Sequence, residues 1–328
     1  MGSLYIRKHF NKDSKKEVEE MVTNIQSEFI QSLMMYDWMD ENAKYEAIEK
    51  VNSMFVHVGY ADELLDEKRI EKHYLSLDIV SDNYLETMLS ISLFNRDYNY
   101  KQLRDAINRT DWTKLKFPTV VDAYYSFQKN SIEFPAGILQ GLFFDNNRPR
   151  YMNYGGIGSI IGHEVMHGFD DQGRQYDGNG NIAEWWTLET KDIIAERSKC
   201  ITDQYEDYFV PEVGVNLDGI SIREENIADS GGIKQAYLAY QTWVDQNGPE
   251  KRLPGLPYTP NQMFWISAAN VWCTKYPNEF LKLKIRTGSN LFEKYRVLGT
   301  FSNMEYFSDD FKCSLGSNMN PQHKCQVW

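Results

Sequence analysis

The sequence predicts an α+β fold that is predominantly α-helical, with one small sheet at its edge. Three observations carry this. In the first third, apolar residues return every three or four positions, the spacing of helices that bury one face. After Pro118 come two short β-prone segments parted by a polar turn. In the centre, Ile157, Ile160, Ile161 and Val165 return to helical spacing. With 328 residues, 42% of them hydrophobic and 14% aromatic, the chain can bury a large core as one or two domains.

Residues 1–117 read as a helical segment packed on a core made by residues 118–328. Residues 15–112 are charge-rich and mainly helical in pattern. Val18, Met21, Val22, Ile25, Phe29 and Leu33 mark an amphipathic helix, and residues 84–104 a second one. His57 and His73 each stand alone, which favours packing or surface positions over ligation. Asn108-Arg109-Thr110 is a glycosylation sequon, compatible with secretion. Ile6 occupies the place a myristoylation signal gives to Ser or Thr, and no apolar leader or bilayer-length run is present.

Beyond Pro118, residues 119–121 and 123–125 are β-prone, and residues 131–134 form a second short strand after Gln128-Lys129-Asn130. Gly155-Gly156 supply a break before the next helix. That helix contains His163-Glu164-Val165-Met166-His167. Residues four apart on a helix share a face, so both imidazoles aim at one point while Glu164 stands beside it. Zinc takes neutral imidazole nitrogens and, in a catalytic site, keeps a fourth position for water. A carboxylate beside that position can take the water's proton. Two histidines leave such an ion short of a ligand, and Glu225 is the best candidate for the third. Ser221 and Glu224 have the form of a capping box that starts a helix, on which Glu225 and Asp229 share a face. Asp229 can then accept the far ring N–H of a ligating histidine.

Asp177 to Asn181 faintly suggests a calcium loop, but Ile182 stands where the turn glycine belongs and Leu188 where a bidentate Glu belongs. The segment reads instead as a polar turn leading to a helix near Trp186. Residues 262–272 read as a core helix lined by Met263, Phe264, Ile266 and Val271. Cys200, Cys273, Cys313 and Cys325 are far apart in sequence, with no Cys-x-x-Cys, so disulfides are favoured over thiolate zinc.

The string HEVMHGFDDQG followed by ENIADSGG resembles the neprilysin family of gluzincin metalloendopeptidases. VDAYYSFQKNSIEFPAGILQ, NYGGIGSIIGHE, LPGL, VWC at Val271-Trp272-Cys273, YRVLGTFSN and CQVW extend the likeness over essentially the whole chain. The resemblance implies a thermolysin-like zinc peptidase core with one Zn2+ held by His163, His167 and Glu225. It implies an edge strand beside the zinc helix to which extended substrate adds. Ala123 would make a backbone contact there, beside Asp122, where the family has an Asn that both donates and accepts; an ionised carboxylate only accepts. Val271 and Trp272, with Ile138 and Phe143, would wall the pocket for the side chain after the cut. Arg296 would bind a substrate carbonyl. Asn290 stands where the family has a histidine that donates to the oxyanion, a donor whose loss costs about 10²–10³ in rate. Cys200 would pair with Cys325, while Cys273 and Cys313 would find partners in an amino-terminal portion absent from this sequence. That pattern implies an oxidising home, either as a secreted protein or as the ectodomain of a membrane-anchored one.

A formal charge of −12 leaves no basic stripe for nucleic acid or an anionic membrane. The expected function is zinc-dependent hydrolysis of oligopeptides on the amino side of apolar residues, with Glu164 as the proton carrier. The alternative, motivated by Asp122 and Asn290, is a zinc-holding paralogue of feeble activity that binds peptides or partners.

Overall fold

The computed structural model describes residues 1–80, 82–287 and 292–328, so Asn290 lies outside the described residues. Helices dominate and strands are few, which gives the predicted α+β class. The apolar stripe from Val18 to Leu33 lies on one helix, Lys12–Met35, and its six residues are each at most 1% exposed. That helix packs against the helix carrying the two histidines and against the one carrying Glu225.

The sheet has three strands, β1 (Phe55–Gly59), β2 (Tyr124–Ser126) and β3 (Ser131–Pro135), in the order β1-β3-β2. β1 runs parallel to β3 and β2 antiparallel to it. β3 is buried along its length except at Glu133, which stands between the fully buried Ile132 and Phe134. Residues 15–112 are mainly helical as expected, with one strand where Phe55-Val56-His57-Val58 is long enough to pair. One sequence expectation is corrected here. Residues 119–121 form no strand; Pro118 instead accepts a hydrogen bond from the Gly137 N–H at 2.7 Å. Although residues 1–117 and 118–328 divide the chain in sequence, β1 and Lys12–Met35 are built into the sheet and core of the second part.

Gly155-Gly156 do not break the helical path. Tyr154–Gly158 winds as a π-helical turn between Arg150–Asn153 and Ser159–His167. Wide turns of this kind gather at functional sites. The expected helix over 262–272 is Pro260–Asn270, closed at its start by a capping box of Thr259 and Gln262. Val271 and Trp272 follow it.

A close crossing of two helices sets the site. Ser159–His167 crosses Arg223–Asn247 at Gly162 and Gly232. A methyl group on Gly162 would stand 2.2 Å from the Gly232 carbonyl oxygen, and one on Gly232 would stand 2.3 Å from the His163 nitrogen. Both positions therefore require glycine, and the backbones touch directly.

Cys200 and Cys325 are joined in the disulfide the resemblance implies, while Cys273 and Cys313 are free. The bridge holds the end of the chain on Leu188–Glu206. Trp328, 3% exposed, packs there among Phe29, Trp38, Phe169 and Trp186.

Candidate metal centre

His163 and His167 leave one face of Ser159–His167 with ring centroids 4.4 Å apart. Glu225 reaches them from the first turn of Arg223–Asn247. That helix starts at Arg223 without the expected capping box: the Ser221 hydroxyl donates to Asp218 at 2.6 Å instead, and Ile222 takes the cap position.

Nε2 of His163 is 3.5 Å from Glu225 Oε2, and Nε2 of His167 is 3.7 Å from Glu225 Oε1. One donor atom from each of the three residues lies within 4.8 Å of the others. Donors of a tetrahedral zinc ion at ordinary bond lengths stand roughly 3.3 Å apart. The spacing, the two imidazoles and the carboxylate therefore fit zinc. Cys200, His323 and Cys325 also converge, but their two sulfurs are already bonded to each other.

The far ring nitrogens are engaged by carboxylates, which leaves Nε2 of both rings facing the shared point. His163 Nδ1 is 2.8 Å from Asp229 Oδ1, and His167 Nδ1 is 2.6 Å from Asp170 Oδ2. Burial would raise Asp229, but Arg296 and His163 hold it well below the usual carboxylate range. Arg296 grips both Asp229 oxygens, at 2.6 and 2.7 Å, and lies 3.4 Å from Glu225. Burial raises Glu225 too, yet His163, Arg296 and His167 bring it below its ordinary value. Burial pulls His167 down, but the Asp170 hydrogen bond and the charges of Glu164, Asp170 and Glu225 hold it at about 9.

Asp170 is the residue that sequence reading passed over. Its side chain is fully buried, and its second oxygen accepts the N–H groups of Gln172 and Gly173 at 2.8 and 2.7 Å. The signal was its place three residues beyond His167, within reach of that ring. Asp170→Asn keeps the size but gives up the charged acceptor. It is expected to weaken zinc binding about 10–100-fold, read by competition against a chromogenic chelator.

The loop holding Asp170 is fixed by Lys50, which is 1% exposed. Its Nζ donates to the carbonyl oxygens of Gly168, Gly173 and Tyr176, each at 2.7 Å. Burial pushes this ammonium down to about 7, against Asp170 and Asp177. Three acceptors match its three protons only when it is charged.

Glu164 is 6% exposed and makes no hydrogen bond to another described residue. Burial raises it above the ordinary carboxylate range; His163 and His167 oppose this, while Glu225 and Asp122 add to it. It faces a cleft of about 570 Å³ that also exposes Asp122, Ala123, Ile138, Phe143, Trp272 and Arg296. Most of the residues assigned to the site from sequence are thus brought together. Val271 does not line the cleft, Asp229 reaches the site through His163, Asn290 lies outside the described residues, and Ile160 is an apolar wall that was not foreseen.

A histidine pair and a glutamate from two crossing helices, beside a small edge sheet, make a thermolysin-like zinc peptidase core. Residues 122–327 match peptidase family M13, and residues 1–61 match the amino-terminal region of the same family. The chain belongs to peptidase family M13. It is 50% identical over its full length to Neprilysin-2 of Drosophila melanogaster, covering 42% of that protein. Against endothelin-converting enzyme 1 of Rattus norvegicus it is 40% identical, again over the full chain and 42% of the relative. The inhibitor-bound zinc metalloprotease of Mycobacterium tuberculosis superposes with a TM-score of 0.86 at 31% identity, covering all of this chain and 49% of that one. The chain thus spans less than half the length of the curated relatives it matches.

Proposed function

We propose that this chain is the catalytic portion of a zinc-dependent endopeptidase that cuts oligopeptides on the amino side of apolar residues. The observation that carries the reading is the convergence of His163, His167 and Glu225 beside an unpartnered, buried Glu164 in an open cleft. Membership of a peptidase family, and relatives whose names include a zinc metalloprotease, support it.

His163, His167 and Glu225 hold one zinc ion per chain, with Asp229 and Asp170 orienting the two rings. When bound, the ion supplies a Lewis acid for a carbonyl and acidifies a water. Glu164 accepts the proton of the attacking water and hands it to the leaving amine; its raised pKa suits a group that must both take and give. Extended substrate lies along β2, with Ala123 at its backbone. Ile138, Phe143 and Trp272 receive the apolar side chain. Arg296, stacked 3.9 Å over the Trp272 ring, stands where it can donate to a substrate carbonyl.

Asp122 in the cleft favours one other reading, a zinc-holding protein that binds peptides with little turnover. The test is hydrolysis of an internally quenched peptide by the full-length protein, stopped by a chelator and restored by one equivalent of zinc. Bound zinc without hydrolysis selects the second reading, and absence of stoichiometric metal removes both. The Cys200–Cys325 disulfide and the exposed Asn108 of the sequon support an extracellular site of action. Among the described residues no helix is long and apolar enough to cross a membrane. An amino-terminal portion, present in the longer relatives, would complete the working protein.

A further inference from the structure

The cleft holds more negative charge than metal binding and proton transfer require. Glu225 belongs to the ion and Glu164 to the proton. Two further carboxylates, Asp122 before β2 and Glu224 at the start of Arg223–Asn247, line the same cavity from its strand side and its helix side. Neither takes part in an ion pair among the described residues. Asp122 is exposed and bonded only to neutral groups, accepting the Ala123 N–H at 3.0 Å and the Tyr124 hydroxyl. Glu224 is half-buried and bonded to the neutral amide of Gln172, beside Asp170 and Asp171.

Arg296 is the one lysine or arginine among the described residues lining the cleft, and Asp229 and Glu225 already neutralise it. Nearby Arg174 and Arg223 are both turned to Asp171. The cavity therefore carries two carboxylates that no ion pair neutralises, in the same lining as the apolar residues Ile138, Phe143 and Trp272. Charges of one sign lining a concave surface focus the field on whatever enters.

We propose that the cleft selects basic peptides, with lysine or arginine flanking the apolar residue and meeting Asp122 and Glu224. This rests on the endopeptidase reading above and adds the class of substrate. Complementary charge of this kind raises the association rate and rejects like-charged competitors more than it deepens affinity.

The test uses full-length, zinc-loaded protein and quenched peptides identical except for Lys, Gln or Glu at the positions on each side of the apolar residue. Lys is expected to exceed Glu in kcat/KM by about tenfold or more, and the gap should narrow between about 0.05 and 0.5 M salt. Asp122→Asn should shrink the ratio at one flank, and Glu224→Gln at the other. Hydrolysis of the Gln peptide with Lys and Glu equal to within about twofold, or ratios untouched by both substitutions, overturns the proposal and leaves the endopeptidase reading standing. If no peptide is cut, that reading fails, and fluorescence anisotropy of the same peptides decides the selectivity. Tighter binding of the Lys peptide by about tenfold supports the proposal, and equal binding overturns it.

Discussion

Glu164→Gln is expected to leave one zinc ion per chain and to lower peptide turnover by at least about 10²–10⁴-fold. The substitution preserves side-chain size at a position that is 6% exposed, so the packing of Ser159–His167 should survive. What it removes is the ability to accept a proton, because an amide has no ionisable oxygen. No other carboxylate can take over easily. Glu225 is held by the ligand set, Asp229 is gripped by Arg296, and Asp122 lies across the cleft in solvent. Metal content by atomic absorption, together with single-turnover hydrolysis, separates the two effects. A variant that keeps its zinc and cuts within about tenfold of the unaltered protein would end the role given to Glu164.

Lys50→Met should cost about 2–5 kcal/mol of folding stability, read from the denaturant midpoint of the metal-free protein. Methionine fills nearly the same volume, so a loss of this size would not come from a void. It would come from the carbonyls that lose their donor once the ammonium is gone, above all that of the buried Gly168. The same substitution frees the loop that presents Asp170, so zinc affinity should fall in the same direction as in Asp170→Asn. Combining the two should give less than the sum of their separate effects on metal affinity, because both act through the His167 ring.

The chemistry at the centre was legible because it is local. His163 and His167 stand four residues apart, and Glu225 and Asp229 repeat that spacing, so each pair could be put on a helical face without any tertiary knowledge. What joins the pairs was only hinted at, by the glycines after Asp229. Asp170 was hidden because the helix ends at His167, and past that point periodicity places nothing. Lys50 was beyond reach for a different reason: it acts on carbonyl groups more than a hundred residues later in the chain, and backbone acceptors carry no sequence signature. The π-helical turn replaced an expected break because Gly155 is required by close approach, with a methyl there standing 2.1 Å from the Phe264 carbonyl oxygen. The composition of residues 262–272 could show an apolar segment, but it could not show that the helix stops at Asn270 and leaves Val271 outside the cleft wall.

The contact between Gly162 and Gly232 fixes the distance between the two halves of the ligand set by main chain alone. Surrounding apolar side chains can therefore drift in shape over evolutionary time without retuning the grip on the ion. A single added carbon at either crossing residue would instead act as a wedge, parting Glu225 from the two imidazoles with the ligand residues themselves unaltered.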